Sequence, residues 1–171
     1  MPAPNIRRLV PYIVLALLAL LEVSACGNKD DAKAIHMLIQ KGAALAEKHN
    51  IADLLKLAAP DFTAQPGRYD SKGVHGVLWG AFHYYGRFKI HYPRPAIRLD
   101  KSGKGAAATF HFVIVRQDRS LPGLRELYDD PQRWLEAAGE MADLYHLQLQ
   151  WIKIDGDWKV KQARLEGFRG F

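Results

Sequence analysis

Apolar residues recur at three- and four-residue steps through Ile35, Leu38, Ile39, Gly42, Ala43 and Ala46, the spacing of one face of a helix. Residues from about 30 to 48 are therefore expected to form a helix with one buried side. Asn50 can cap a short second helix, with Asp53 at its third position and Leu54, Leu55, Leu57 and Ala58 along it, stopped by Pro60. These two should pack as a hairpin. After a loop at Gln65-Pro66-Gly67, Ser71 can cap a third helix that sets Val74, Leu78, Phe82 and Tyr85 on one side and ends at Gly86.

From Arg87 the period changes to two. Phe88, Ile90 and Tyr92 alternate with Arg87, Lys89 and His91, the pattern of a strand with one buried and one solvated face. Pro93 and Pro95 interrupt the ladder and point to an edge strand or a bulge, with pairing resumed over Ala96 to Leu99. A polar turn from Asp100 to Gly105 leads to a long strand from Ala106 to Gln117. Another, Leu144 to Ile154, sets Tyr145, Leu147, Leu149 and Trp151 against His146, Gln148 and Gln150. Asp155-Gly156-Asp157 turns tightly into a last strand, Trp158 to Leu165. The expected sheet is antiparallel and meandering.

The N-terminus follows a different rule. Arg7 and Arg8 precede an apolar run from Leu9 to Leu21, followed by the small and polar Ser24, Ala25, Cys26 and Gly27. Basic, then apolar, then small is the order of a secretory signal peptide. The run of 13 residues contains Pro11 and falls short of the roughly 20 that cross a bilayer as a helix. Val23-Ser24-Ala25-Cys26 resembles the lipobox of bacterial lipoproteins. That resemblance implies a diacylglycerol on the Cys26 thiol, cleavage after Ala25, and an acyl chain such as palmitate on the new amine. Two or three chains hold a protein stably where one does not. Gly27 at the second mature position resembles the pattern for passage to the outer membrane, which implies an anchor facing the periplasm. Residues 26 to 31 then serve as a short linker, and 32 to 171 as one domain.

Composition adds limits. Cys26 is the only cysteine, so no disulfide can form within the chain. Cleavage would leave 146 of the 171 residues, enough for one core. Of the 24 basic and 18 acidic side chains, 22 and 17 would remain, an excess suited to anionic headgroups or acidic ligands, or simply to a solvated surface. No basic run marks a nucleic-acid footprint, and no nucleic-acid partner is expected.

AEKHNIADLLKLAAPDF resembles the helix pair and Asp-Phe of the NTF2-like superfamily, and IDGDWKVKQARLEGF its terminal hairpin; the order of elements from about Ala32 to Gly167 agrees. The resemblance implies an α+β fold in which N-terminal helices pack on a strongly bent antiparallel sheet, the cystatin-like cone. Its members include isomerases, dehydratases and ligand binders, and homodimerisation through the polar sheet face is common among them, so the fold alone does not select a function.

In such a cone the buried strand faces supply the walls: Phe88, Ile90, Tyr92, Phe110, Phe112, Ile114, Tyr145, Leu147, Leu149, Trp151, Trp158 and Val160, with Trp79 and Phe82 closing it. Walls of this kind suit a small apolar ligand, or the aromatics simply fill the core. Catalysis would need a positioned acid or base, and Asp61, His83, Tyr92, His111, Asp143, Tyr145 and His146 are the candidates. By the alternation, His91, His111 and His146 fall on the polar face. The acid pair of ketosteroid-isomerase-like members has no counterpart that can be placed, and neither does the Asp and His pairing of scytalone-dehydratase-like ones. No catalytic residue, cofactor or metal ligand set is therefore assigned. The spacing offers no His-Glu-x-x-His and no Cys pair.

One segment exceeds a hairpin loop. Between two strands, residues from about 118 to 140 outrun the two to five residues typical of hairpins. Asp130-Pro131 reads as a cap and first helical position, with Trp134 and Leu135 facing inward and another turn over Leu121 to Tyr128. Such an insertion could be a lid, a docking surface or a packed decoration. The expected function is binding of a small apolar molecule or a protein partner by an anchored domain, with a small isomerase or dehydratase as the alternative.

Overall fold

The computed structural model describes residues 23–117 and 142–168, with side chains from Asp30 to Gly167 within those ranges. The signal-peptide residues up to Leu21 and the insertion with Tyr128, Trp134 and Leu135 lie outside the described residues, as does the Cys26 side chain. In chain order the elements are α1 (Val23–Glu47), α2 (Ile51–Leu55), β1 (Ala58–Gln65), α3 (Ser71–Tyr85), β2 (Phe88–His91), β3 (Ala96–Leu99), β4 (Gly105–Arg116), β5 (Ala142–Ile154) and β6 (Asp157–Phe168). Among the described residues no helix is long and apolar enough to cross a membrane.

Local chemistry explains most of the boundaries. Asn50 Oδ1 accepts the Asp53 N–H at 3.1 Å and its amide reaches Asp53 Oδ2 at 2.8 Å, a reciprocal cap that starts α2. The cap of α3 is Asp70 rather than Ser71: its carboxylate accepts the Gly73 N–H at 2.8 Å. Gly86, with φ of 59°, ends α3 in a backbone region that side chains resist. Asp155 and Gly156 both take positive φ, 50° and 92°, which matches the twist of the β5–β6 hairpin.

Three expectations are corrected. The first helix begins at Val23, seven residues ahead of the expected start, so its backbone runs through the stretch read as a linker. The second helix stops at Leu55, and Ala58 to Gln65 form a strand instead. This strand pairs parallel to β6, with Ala58 opposite Val160 and Thr63 opposite Gln162. The sheet is consequently mixed, in the order β1-β6-β5-β4-β2, with β3 also on β4. Pro60 is tolerated because β1 is an edge strand, where a missing N–H costs no ladder bond.

The concave face carries the core. Along β4, Ala106, Ala108 and Phe110 are buried at every second position and meet Ile35 and Ile39 of α1 together with Trp151 and Trp158. A second cluster joins Ile51, Phe82, Tyr85 and Phe88 where α2 and α3 meet β2. Glu47, at the end of α1, accepts the Ile90 N–H at 2.9 Å and the Lys89 ammonium at 2.7 Å, so the helix is pinned to the free edge of β2.

Candidate functional site

Most residues expected to wall the cone pack against one another in the two core clusters. Tyr92, Phe112, Leu147, Leu149 and Val160 pack around Phe110, Trp151 and Trp158 in the first cluster, with Tyr92 and Phe110 centroids 5.4 Å apart and those of Phe110 and Phe112 6.4 Å apart. Ile90, Ile114 and Phe82 belong to the second. Trp79 is the exception. It is 57% exposed, with its ring tilted against that of His83 at 4.2 Å, and it borders an open recess beside Phe82 instead of the cone.

The interior is not wholly apolar. Alternation along β5 puts Asp143 and Tyr145 on the same side as Leu147, and α3 lowers Tyr85 onto them. The Tyr85 hydroxyl donates to Asp143 Oδ2 at 2.6 Å and lies 2.6 Å from the Tyr145 hydroxyl. A phenol has one proton, so Tyr145 is the donor to Tyr85, and the chain runs Tyr145 to Tyr85 to Asp143. Tyr145 is held flat against Phe112, 5.3 Å between centroids and 24° between planes. Tyr85 is 7% exposed; burial first, then the bonds to Asp143 and Tyr145, push its pKa far above the tyrosine range. It is a fixed donor at any ordinary pH. Tyr92, deeper in the cone, is also pushed up, by burial and then by the Glu47 charge.

A second polar atom lies further along the same strand. The Trp151 indole Nε1 is buried and has no acceptor among the described residues, a condition that costs about 1–3 kcal/mol where nothing compensates it. Six steps along the strand separate it from Tyr145, about 20 Å at the usual rise, so the two do not act on one small molecule at once.

The remaining candidates fall elsewhere. Asp61 is exposed and paired with Lys161 at 3.4 Å. His91, His111 and His146 are on the outer face, where His111 and His146 stack at 4.6 Å and His146 Nδ1 lies 3.4 Å from Glu166. Among the described residues no group of three or more side chains has the arrangement of a metal site. Two open recesses flank the end of α3. One, of about 760 Å³, is bordered by Tyr84, Tyr85, Arg87, Lys89, His91 and Arg116; the other, of about 420 Å³, by His49, Ile51, Trp79 and Phe82. The sequence hinted at Asp143 and Tyr145 but not at Tyr85, which reads as one more apolar position of α3.

No family model and no curated protein matches the chain. Solved structures do. A protein from Novosphingobium aromaticivorans named after scytalone dehydratase superposes with a TM-score of 0.61 at 15% identity, covering 84% of this chain and 87% of that one. An NTF2-like protein with a cystatin-like fold from the same organism gives 0.58 at 15%, covering 92% and 90%. ActVI-ORFA from Streptomyces coelicolor gives 0.61 at 10%, covering 81% and 98%. At these identities the likeness is one of fold, and it agrees with the curled sheet and the helices packed on it: the chain has the NTF2-like, cystatin-like cone fold.

Proposed function

We propose that this protein is a lipid-anchored component of a bacterial cell envelope whose cone holds a small, mostly apolar molecule bearing an oxygen function, and that it acts by binding. The observation that carries this reading is the Tyr145–Tyr85–Asp143 chain at one end of an otherwise aromatic interior. A ligand hydroxyl, which can both accept and donate, could replace Tyr145 or Tyr85 in that chain, while Phe112 and its neighbours cover the rest of the molecule. Catalysis is less well supported because the carboxylate already accepts a short bond from Tyr85, which weakens it as a base, and because His111 and His146 are on the other side of the sheet.

Anchoring rests on the lipobox-like Val23–Cys26 stretch. Five helical steps carry the backbone from Cys26 to Asp31, about 8 Å of rise, which would hold the domain against its membrane, on the periplasmic side of the outer membrane. A second copy would pair through the outer sheet face, where His111 and His146 lie; His111→Glu should then shift the sedimentation of the chain from dimer to monomer.

A dehydratase or isomerase is the second reading, favoured by the same carboxylate at the end of a chain of two phenols. Native mass spectrometry of the purified chain tests both. Retained mass that leaves on denaturation, and that Tyr85→Phe abolishes, supports the binder. Two retained species that interconvert in the wild type but not in Asp143→Asn would support the enzyme. A bare mass from gently purified protein would sink the binding reading.

A further inference from the structure

The two recesses beside α3 share His83 and Gly86, so they adjoin there, and their chemistry differs. The larger is bordered by Arg87, Lys89, His91 and Arg116 and by no carboxylate among the described residues. Lys89 is engaged by Glu47 at 2.7 Å, and the same carboxylate draws on His91. Arg116 leans over the Tyr84 ring at 5.7 Å. The Arg87 side chain makes no hydrogen bond or ion pair with the described residues, although its backbone carbonyl accepts the Gln117 N–H at 2.8 Å and so fixes where the side chain starts. The smaller recess has an apolar floor of Ile51 and Phe82, with the His49 ring stacked on Phe82 at 4.9 Å. Its rim is Trp79, 57% exposed.

A guanidinium with no partner among the described residues, next to an apolar trough, matches a molecule with an anionic head and a short hydrocarbon part. We infer that this double recess, outside the cone, binds single molecules of an anionic amphiphile, the head group against Arg87 and the chain against Trp79, Phe82 and Ile51. The exposure of Trp79 and Tyr84, at 57% and 66%, is then the uncovered state of a binding surface. It does not depend on what the cone holds: Tyr85, Phe82 and Ile51 border both places, but Arg87 and Trp79 border only the recesses, and the Tyr85 hydroxyl is committed to Asp143.

The test is calorimetric titration of the purified full chain with dihexanoylphosphatidylglycerol, kept monomeric, and with its phosphatidylcholine counterpart, which carries the same chains and no net charge. Saturable one-to-one binding of the anionic lipid is expected. Arg87→Ala should weaken it about tenfold, the worth of one charged hydrogen bond, and Arg87→Lys should do so less. Trp79→Ala should weaken both lipids equally. Equal affinity for the two lipids, indifference to Arg87, or no binding would overturn the proposal. Binding seen only with phosphatidylglycerol vesicles would overturn it too, because the surface would then be reading a bilayer rather than a molecule.

Discussion

The indole N–H of Trp158 donates to Asp31 Oδ1 at 2.9 Å, across 127 residues of chain. Lys153 reaches the same oxygen at 2.7 Å, so one carboxylate near the start of α1 clamps both strands of the last hairpin. Asp31→Ala should destabilise the fold by about 1–2 kcal/mol, since it strands a buried indole donor and an ammonium. Thermal melts at neutral pH measure the loss.

The same clamp predicts a pH dependence. The bonds from Lys153 and then Trp158 hold the Asp31 carboxyl below the usual carboxylate range. A lowered folded value means that the contribution is complete above the unfolded pKa, about 3.9, and is lost as pH falls through the folded one. The gap in melting temperature between wild type and Asp31→Asn should therefore be widest near pH 6 and shrink below about pH 4. A gap that stays constant down to acid unfolding would show that charge is not what Asp31 supplies.

Tyr85 should behave in the opposite sense. Its raised pKa favours folding below the unfolded value, about 10, and that contribution disappears as pH rises further. Phenolate absorbance followed to alkaline pH should rise by the same amount in wild type and in Tyr85→Phe until the wild type unfolds, when it should gain one further tyrosine. Tyr85→Phe itself should cost about 1–3 kcal/mol at neutral pH, because Asp143 loses its buried donor.

The tryptophans should separate cleanly. Trp158 is 5% exposed and Trp151 4%, and truncating either to Ala should cost about 3–5 kcal/mol. Trp79→Ser should change stability by no more than about 0.5 kcal/mol. Denaturant curves of the three variants decide this, and a large loss at Trp79 would place it in the core after all.

Much of this molecule was legible from period alone. The alternation along Phe88 to Tyr92 and along β4 and β5 assigned strands and inner faces, and the Asn50–Asp53 and Asp155–Gly156 pairs marked a cap and a turn. What was not legible depends on distant partners. β1 has only Ala59 and Phe62 buried among AAPDFTAQ and a proline at its third position, so nothing local distinguishes it from a helix end; it is a strand because β6 lies alongside. Asp31 likewise looks like a linker charge until Lys153 and Trp158 arrive. The Tyr85–Asp143–Tyr145 chain combines both situations. Parity put Tyr145 inward with Leu147, yet only the docking of α3 on β5 brings Tyr85 to it. Trp79 misled for a different reason: an aromatic at helical spacing suggests burial, and here the helix has more apolar residues than one face can cover.

The parallel pairing of β1 with β6 bears on the order in which the chain can assemble. β6 sits between β5 and β1, so the strand made last of the six is an interior one. Until it emerges, β1 has no partner in the sheet, Trp158 cannot reach Asp31, and the cone is open along its length. The nascent polypeptide therefore cannot complete its sheet before β6 is made, and contacts spanning about a hundred residues must form in a late step, which makes folding slow compared with a helical bundle of the same size. A chain built in this way remains threadable until its final strand is available.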